Sequence, residues 1–262
     1  MAQSKFKHIY GPVYSWRMGM SLGIDPISTN SRICNYNCTY CQLGQAVGAV
    51  CTGERRIFIA TGDIVTEIKT LDTGVAIDHL TFSGNGEPTL ALNLGEMLRA
   101  VRAVRPEKTA VITNGTLLGR GDVQADLAGA DLVLVKLDAA DEAVFQAVNR
   151  PAPGLTLKGV VAGIKAFRHT FKGRFALQMM LIGKNKEQAP GMARLAREIG
   201  ADEVQLNTPL RPNPEKPLTP AEMASIKTCF AGLHVRSIYE EEQKPYHPID
   251  LQATERRHGI IV

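Results

Sequence analysis

From Ser21 onward, short β-rich apolar runs alternate along the chain with amphipathic segments, the pattern of a parallel sheet wrapped by helices. The strand candidates are Ser21–Asp25, His79–Ser83, Thr109–Thr113, Leu132–Leu137, Phe175–Leu181 and Glu203–Asn207. Helices are expected at Asp63–Thr70, Leu94–Val104, Asp122–Ala128, Asp141–Val148, Leu157–His169, Ala189–Ile199 and Pro220–Phe230. The last start is well marked: Thr219, Pro220 and Glu222 supply an N-cap, an N1 proline and the far member of a capping box. Six strand-helix repeats fall short of the eight in a closed barrel, so an open, partial (β/α)6 barrel or a doubly wound sheet is expected. In either, ligands bind at the C-terminal ends of the strands, and each candidate strand ends in polar or glycine-containing sequence. No linker divides the chain. It reads as one domain over 1–262, with a core of about 21–233 and extensions, 1–20 and 234–262, that cover the site.

Composition narrows this little: 44% hydrophobic and 21% charged residues describe an ordinary globular chain. No stretch approaches the roughly 18 consecutive apolar residues of a membrane span, and the N-terminus lacks a signal-peptide run, so no membrane and a cytoplasmic location are expected. The net charge of +4 suits an anionic partner, yet the basic residues are dispersed rather than massed as in a nucleic-acid patch. Of five cysteines, three lie within Cys34–Cys41, which points to metal rather than disulfides. Cys51 and Cys229 stand alone and read as small, semi-buried hydrophobes.

The three clustered cysteines read CNYNCTYC, with C-x3-C-x2-C spacing, just after the first strand candidate. Soft thiolates suit iron-sulfur clusters, and three ligands leave one iron of a cubane open. A structural zinc site takes four ligands, and no fourth Cys or His stands at finger spacing. The motif resembles the C-x3-C-x-aromatic-C signature of the radical S-adenosylmethionine (SAM) superfamily, with Tyr40 in the aromatic slot. The resemblance implies a radical SAM barrel, one 4Fe-4S cluster on Cys34, Cys38 and Cys41, and SAM chelated at the open iron. It also implies an oxidoreductase or transferase fed electrons by a partner such as flavodoxin or ferredoxin.

The same resemblance sorts the strand ends. Ser83-Gly84-Asn85-Gly86-Glu87-Pro88 is similar to the glycine-rich motif that meets the methionine amino group, and Tyr40 is implied against the adenine. Thr113-Asn114-Gly115 looks like the ribose contact, although a plain Asn-Gly turn reads the same way. Lys136 and Asp138 stand two apart at the next strand end. Lys136 pairs with the SAM carboxylate in one reading and is a solvated strand-end lysine in the other. Gln205 and Asn207 place paired amides on one strand face and join the cofactor-side candidates.

The opening His8-Ile9-Tyr10-Gly11-Pro12-Val13, the run CNYNCTYCQLG, Asn149-Arg150-Pro151 and Gln205-x-Asn207-Thr208-Pro209 resemble a narrower group, iron-sulfur oxidoreductases related to wyosine-tRNA synthase. No cysteine precedes Cys34 to hold the second cluster of the wyosine enzyme, and the group's winged-helix-like tail is not expected here. His8, Tyr10 and Arg17 are the catalytic candidates: the segment before the first strand is expected to fold over the barrel mouth and meet substrate. The substrate is a small molecule, a peptide or RNA. The leading expectation is radical modification of a small molecule or peptide, with tRNA-base modification as the alternative. In another class stands a non-catalytic iron-sulfur electron carrier, which would seal all four irons with protein ligands.

Overall fold

The computed structural model describes residues 4–29, 31–44, 53–72 and 74–258. Eight strands form one curled sheet in sequential order: β1 (Ile9–Ser15), β2 (Gly19–Ile24), β3 (His79–Phe82), β4 (Lys108–Thr113), β5 (Leu132–Lys136), β6 (Arg174–Met180), β7 (Glu203–Asn207) and β8 (Val235–Ser237). Strands β2 to β8 run parallel, and β1 returns antiparallel to β2. The result is a mixed α/β partial barrel, open between its edge strands β1 and β8.

Alternation along each strand divides the two faces. Val133 and Val135 of β5 join Leu80, Phe82, Leu177, Met179, Val204 and Leu206 in the main core outside the barrel. Against them pack α1 (Thr61–Lys69), α2 (Leu94–Val104), α3 (Gly121–Leu127), α4 (Glu142–Val148), α5 (Leu157–Thr170), α6 (Ala189–Ile199) and α7 (Pro220–Thr228). Each fully buried Leu, Ile or Phe here is worth about 1.5–3 kcal/mol. The inward positions form a smaller plug of Met18, Ala110, Leu132, Leu134 and Ala176 with Ile112, a floor for the space above. At α7, Thr219 and Glu222 exchange both bonds of the capping box.

Both extensions are more than covers. The segment 1–20 contributes edge strand β1 and opens β2, so it forms part of the sheet instead of lying over its mouth. The segment 234–262 contributes β8 and then α8 (Leu251–His258), which packs on β1. Neither strand has a clear sequence signal: β1 carries Gly11-Pro12, where the register with β2 shifts, and β8 has three residues. Ile249 N–H donates to Gly11 O at 2.7 Å, and Gly11 N–H to Thr254 Oγ1 at 2.9 Å, fixing α8 to the bulge. Across the open seam, the Arg236 guanidinium donates to the carbonyls of Trp16 and Arg17.

One buried ion pair locks the C-terminal helix to the strand ends. Asp25, fully buried after β2, accepts from Arg257 Nε at 2.8 Å and from the backbone N–H groups of Ile27, Ser28 and Asn85. Removing the carboxylate strands a buried guanidinium. Asp25→Ala is therefore expected to cost about 3–5 kcal/mol of folding stability, read as a lowered midpoint in denaturant unfolding; a loss under about 1 kcal/mol would show that the pair holds nothing together.

Candidate functional site

The C-terminal ends of the parallel strands surround a cavity of about 400 Å³, a size that takes a small-molecule ligand. Cys34, Cys38 and Cys41 are free thiols on one wall of it. The loop that carries them is held in register by backbone pairing. Ile33 N–H donates to Asn85 O and Glu87 N–H to Ile33 O, both at 2.9 Å, making a bridge between the cysteine loop and the glycine-rich turn. A Cβ on Gly86 would lie 1.7 Å from the Ile33 carbonyl oxygen, so only glycine permits the approach. On its other side the loop follows the end of α4: Asn37 N–H donates to Asn149 O, and Thr39 N–H to Val148 O.

Two amides reach the sulfurs. Asn114 Nδ2 lies 3.7 Å from Cys34 Sγ and Asn149 Nδ2 lies 3.5 Å from Cys38 Sγ, while Tyr36 N–H donates to Cys34 Sγ at 3.4 Å. Such donors stabilise thiolates and tune a cluster bound to them. In the metal-free chain burial pushes both thiols up, Cys38 to about 11, so cluster loading has to release their protons. Among the described residues no three His, Cys, Asp or Glu side chains group closely enough for a single metal ion. The soft thiols sharing one loop, with N–H donors already aimed at two of them, fit an iron-sulfur cluster.

Buried carboxylates organise the strand ends. Glu87 accepts from Thr89 N–H and Oγ1, Thr113 Oγ1 and Asn114 N–H, at 2.6–3.0 Å. Burial still raises its carboxyl above the usual range. Three of these donors meet Oε1 and one meets Oε2, and the carbonyls of Gly84 and Gly86, unlike that of Asn85, accept no backbone N–H among the described residues. Asp138 accepts from Tyr40 Oη, from Asn149 Nδ2 at 2.9 Å and from Met180 N–H at 2.7 Å, with Lys136 Nζ at 3.7 Å. The Lys136 ammonium also sits over the Tyr40 ring, 5.0 Å from its centroid.

The cavity brings together most of the residues singled out from sequence: Tyr10, Arg17, Tyr40, Ser83, Gly84, Gly86, Glu87, Thr113, Asn114, Lys136 and Asn207 besides the cysteines. Four stand apart from its lining. His8, at the entry to β1, has its backbone N–H on Glu67; burial lowers its ring below the ordinary imidazole value, and its buried Nδ1 has no hydrogen-bond partner among the described residues. Asn85 donates to Thr29 O, Asp138 lies behind Tyr40, and Gln205 Nε2 turns down the strand to Glu203 at 2.6 Å. Tyr10 fills the space left by Gly23, where a Cβ would come within 2.1 Å of its ring, and its hydroxyl meets Ser83 Oγ at 2.7 Å. Burial pushes that phenol up to about 12. Cys229 is half-buried at the end of α7, packed against the core; Cys51 lies outside the described residues.

Sequence reasoning left out Arg32, Gln178, Arg211, Arg257 and His258, all of which line the cavity. Asn149 entered only as part of a resemblance. Its position directly after α4 was the available signal, since a helix end is where an amide is free to face a neighbouring loop. Arg257 and His258 gave none, for α8 is short and polar.

Comparison with known proteins names the class. A family model described as the radical SAM superfamily matches residues 30–196, and the chain belongs to that superfamily. Membership implies an enzyme that uses an iron-sulfur cluster and SAM. Within it, the chain is 42% identical over 210 residues to a UPF0026 protein of Synechocystis sp., covering 80% of this chain and 78% of that protein, and so stands among the UPF0026 proteins. In three dimensions it is similar to SuiB of Streptococcus suis, solved with the precursor peptide SuiA, at a TM-score of 0.63 and 15% identity. That match covers 85% of this chain and half of SuiB. It is also similar to archaeal TYW1, at a TM-score of 0.56 and 15% identity, over 85% of this chain and 74% of that one. At these identities the likeness is one of fold. No helix among the described residues is long and apolar enough to cross a membrane.

The docking of the cysteine loop makes Gly86 a structural requirement for cluster assembly. Gly86→Ala is expected to lower iron bound per chain after anaerobic reconstitution, with helix content by circular dichroism unchanged. Gly62→Ala, at a site with open space around it, serves as the control. Wild-type iron loading in Gly86→Ala would refute the requirement.

Proposed function

We propose that this protein cleaves SAM reductively at a single 4Fe-4S cluster and uses the resulting 5′-deoxyadenosyl radical to modify a small-molecule or peptide substrate. The observation that carries the reading is the convergence of Cys34, Cys38 and Cys41 on one cavity, with N–H donors from Asn114 and Asn149 on two of their sulfurs. When bound, the cluster and SAM supply the electron transfer and the radical; the chain supplies position and exclusion of water.

In this reading the three thiolates hold the cluster at the cavity wall. The carbonyls of the turn around Gly84 and Gly86 accept from the SAM ammonium, and Lys136 or Arg32 faces its carboxylate. Tyr40 lies beside the adenine, kept in place by its hydroxyl on Asp138. The apolar plug of Met18, Ile112, Leu132 and Leu134 closes the floor against water. Tyr10, with its phenol protonated well beyond neutral pH, offers a hydrogen-bond donor or acceptor to substrate and not a base. A cytoplasmic location and a small reducing partner such as flavodoxin or ferredoxin complete the proposal.

A tRNA-base reaction is the second reading, favoured by the shared fold with archaeal TYW1.

Replacing Cys34, Cys38 or Cys41 by Ala is expected to abolish the visible absorbance of the reconstituted cluster and, with it, dithionite-driven release of 5′-deoxyadenosine. Cys51→Ala and Cys229→Ala are expected to retain both. Loss of the chromophore in Cys51→Ala would mean a fourth protein ligand and no open iron.

A further inference from the structure

The cavity carries more positive charge than the chain itself neutralises. Its described lining presents Arg17, Arg32, Lys136, Arg211 and Arg257 against one carboxylate, Glu87, which four donors of the protein already engage. Arg257 is matched by Asp25, and Lys136 stands 3.7 Å from Asp138. Arg32 lies on the cysteine-loop side of the cavity, two residues before Cys34; it donates to Asn37 Oδ1, while its own buried Nε–H has no hydrogen-bond partner among the described residues. Arg17 and Arg211 remain, on the side of the cavity that adjoins the seam between β1 and β8, and neither has an ion-pair partner among the described residues.

Their surroundings deepen the imbalance. Arg211 donates through Nη1 to Gln42 Oε1 at 2.9 Å and shares a 2.5 Å contact between Nη2 and His258 Nε2. A guanidinium only donates, so His258 Nε2 accepts, and the neutral ring carries its proton on Nδ1. Burial, with the charges of Arg211 and Arg17, brings that ring down to about 3 and keeps it neutral. Burial likewise lowers Arg17 to about 10, helped by the neighbouring charges of Arg211 and of Arg236, the latter itself paired with Glu241. The Nδ1–H of His258 and the Nε–H of Arg17 are both buried, and neither has a hydrogen-bond partner among the described residues. Two like charges and two unanswered donors in a recess withdrawn from water are costly until an acceptor with negative charge completes them.

We propose that Arg17, Arg211 and the Nδ1–H of His258 form a subsite for an oxyanion, a phosphate or carboxylate, borne by the substrate. Assigning that anion to the substrate rests on the function proposed above; the anion site itself does not. The subsite adjoins the cysteine loop through the bond from Arg211 to Gln42, but its own donors come from the β1–β2 turn, the segment after β7 and the end of α8. An anionic small molecule held there would present its remaining part to the same cavity that the cysteines line.

The test is calorimetric titration of the full, cluster-loaded chain under anaerobic conditions with tripolyphosphate and, in a second arm, with tricarballylate. Saturable binding of one or both anions at one site per chain is expected, the responding arm telling phosphate from carboxylate. Arg17→Gln and Arg211→Gln should each weaken it by about tenfold or more. The corresponding Lys variants should recover part of the loss, because they restore the charge without the planar fork. Should a Gln variant misfold by circular dichroism, the weakening of its Lys counterpart against wild type decides. Binding of neither anion, or wild-type affinity in both Gln variants, overturns the subsite. SAM cleavage by the wild-type protein is assayed alongside: its failure would sink the radical reading and leave the titration to judge the anion site on its own.

Discussion

The cysteine loop lies over the barrel mouth because Gly86 lets one backbone lie directly against another. The bridge from Ile33 to the 85–87 turn brings the first cysteine beside the end of β3, and no side chain could occupy the space that this contact uses. From that anchor the loop runs to the end of α4, where Asn149 reaches Cys38. Without it the loop would keep only its attachment near the end of α4, and Cys34 would lose its fixed place beside Asn114.

Around the anchor, carboxylates at the ends of β2, β3 and β5 do the work that side-chain packing does elsewhere. Asp25, Glu87 and Asp138 are all buried, and each gathers N–H or O–H donors from at least two separate segments. A buried carboxylate is tolerable only when so satisfied, and the same demand makes it a strong positional constraint. Irregular strand-end loops thereby gain the rigidity that a positioned radical requires. The arrangement also ties Glu87, which sequence had offered to the cofactor, to two segments of the protein, and leaves cationic groups as the unanswered charges of the described cavity lining.

Closure of the barrel follows a different logic. Seven parallel strands and one antiparallel strand leave a seam, and the chain spans it with the Arg236 guanidinium on two carbonyls and with α8 laid along β1. The arginines and histidine of the proposed anion subsite adjoin that seam. The part of the structure that completes the enclosure is thus also the part that gives the cavity its sign.

Sequence by itself determined the repeat. Six of the eight strands, all seven outer helices and the capping box at Thr219 were legible, because a strand buried on both faces is apolar throughout and a helix against it is apolar on one side. The spacing of Cys34, Cys38 and Cys41 was equally local and announced the cluster. Tertiary structure alone decided the edges and the roles. Strand β1, broken by Gly11-Pro12, and β8, three residues long, exist because a neighbouring strand offers unpaired carbonyls and N–H groups, which no local pattern records. Glu87 and Asp138 had the right chemistry for a site and also bind partners far along the chain, Gln205 meets Glu203 two residues away, and the His8 Nδ1 is buried without a hydrogen-bond partner among the described residues; none of this shows in a local pattern. Arg211 and His258 come together across 47 residues, and Arg17 joins them from the turn between β1 and β2. Their charge becomes a property of a cavity only when the fold closes around it and excludes the water that would otherwise screen it.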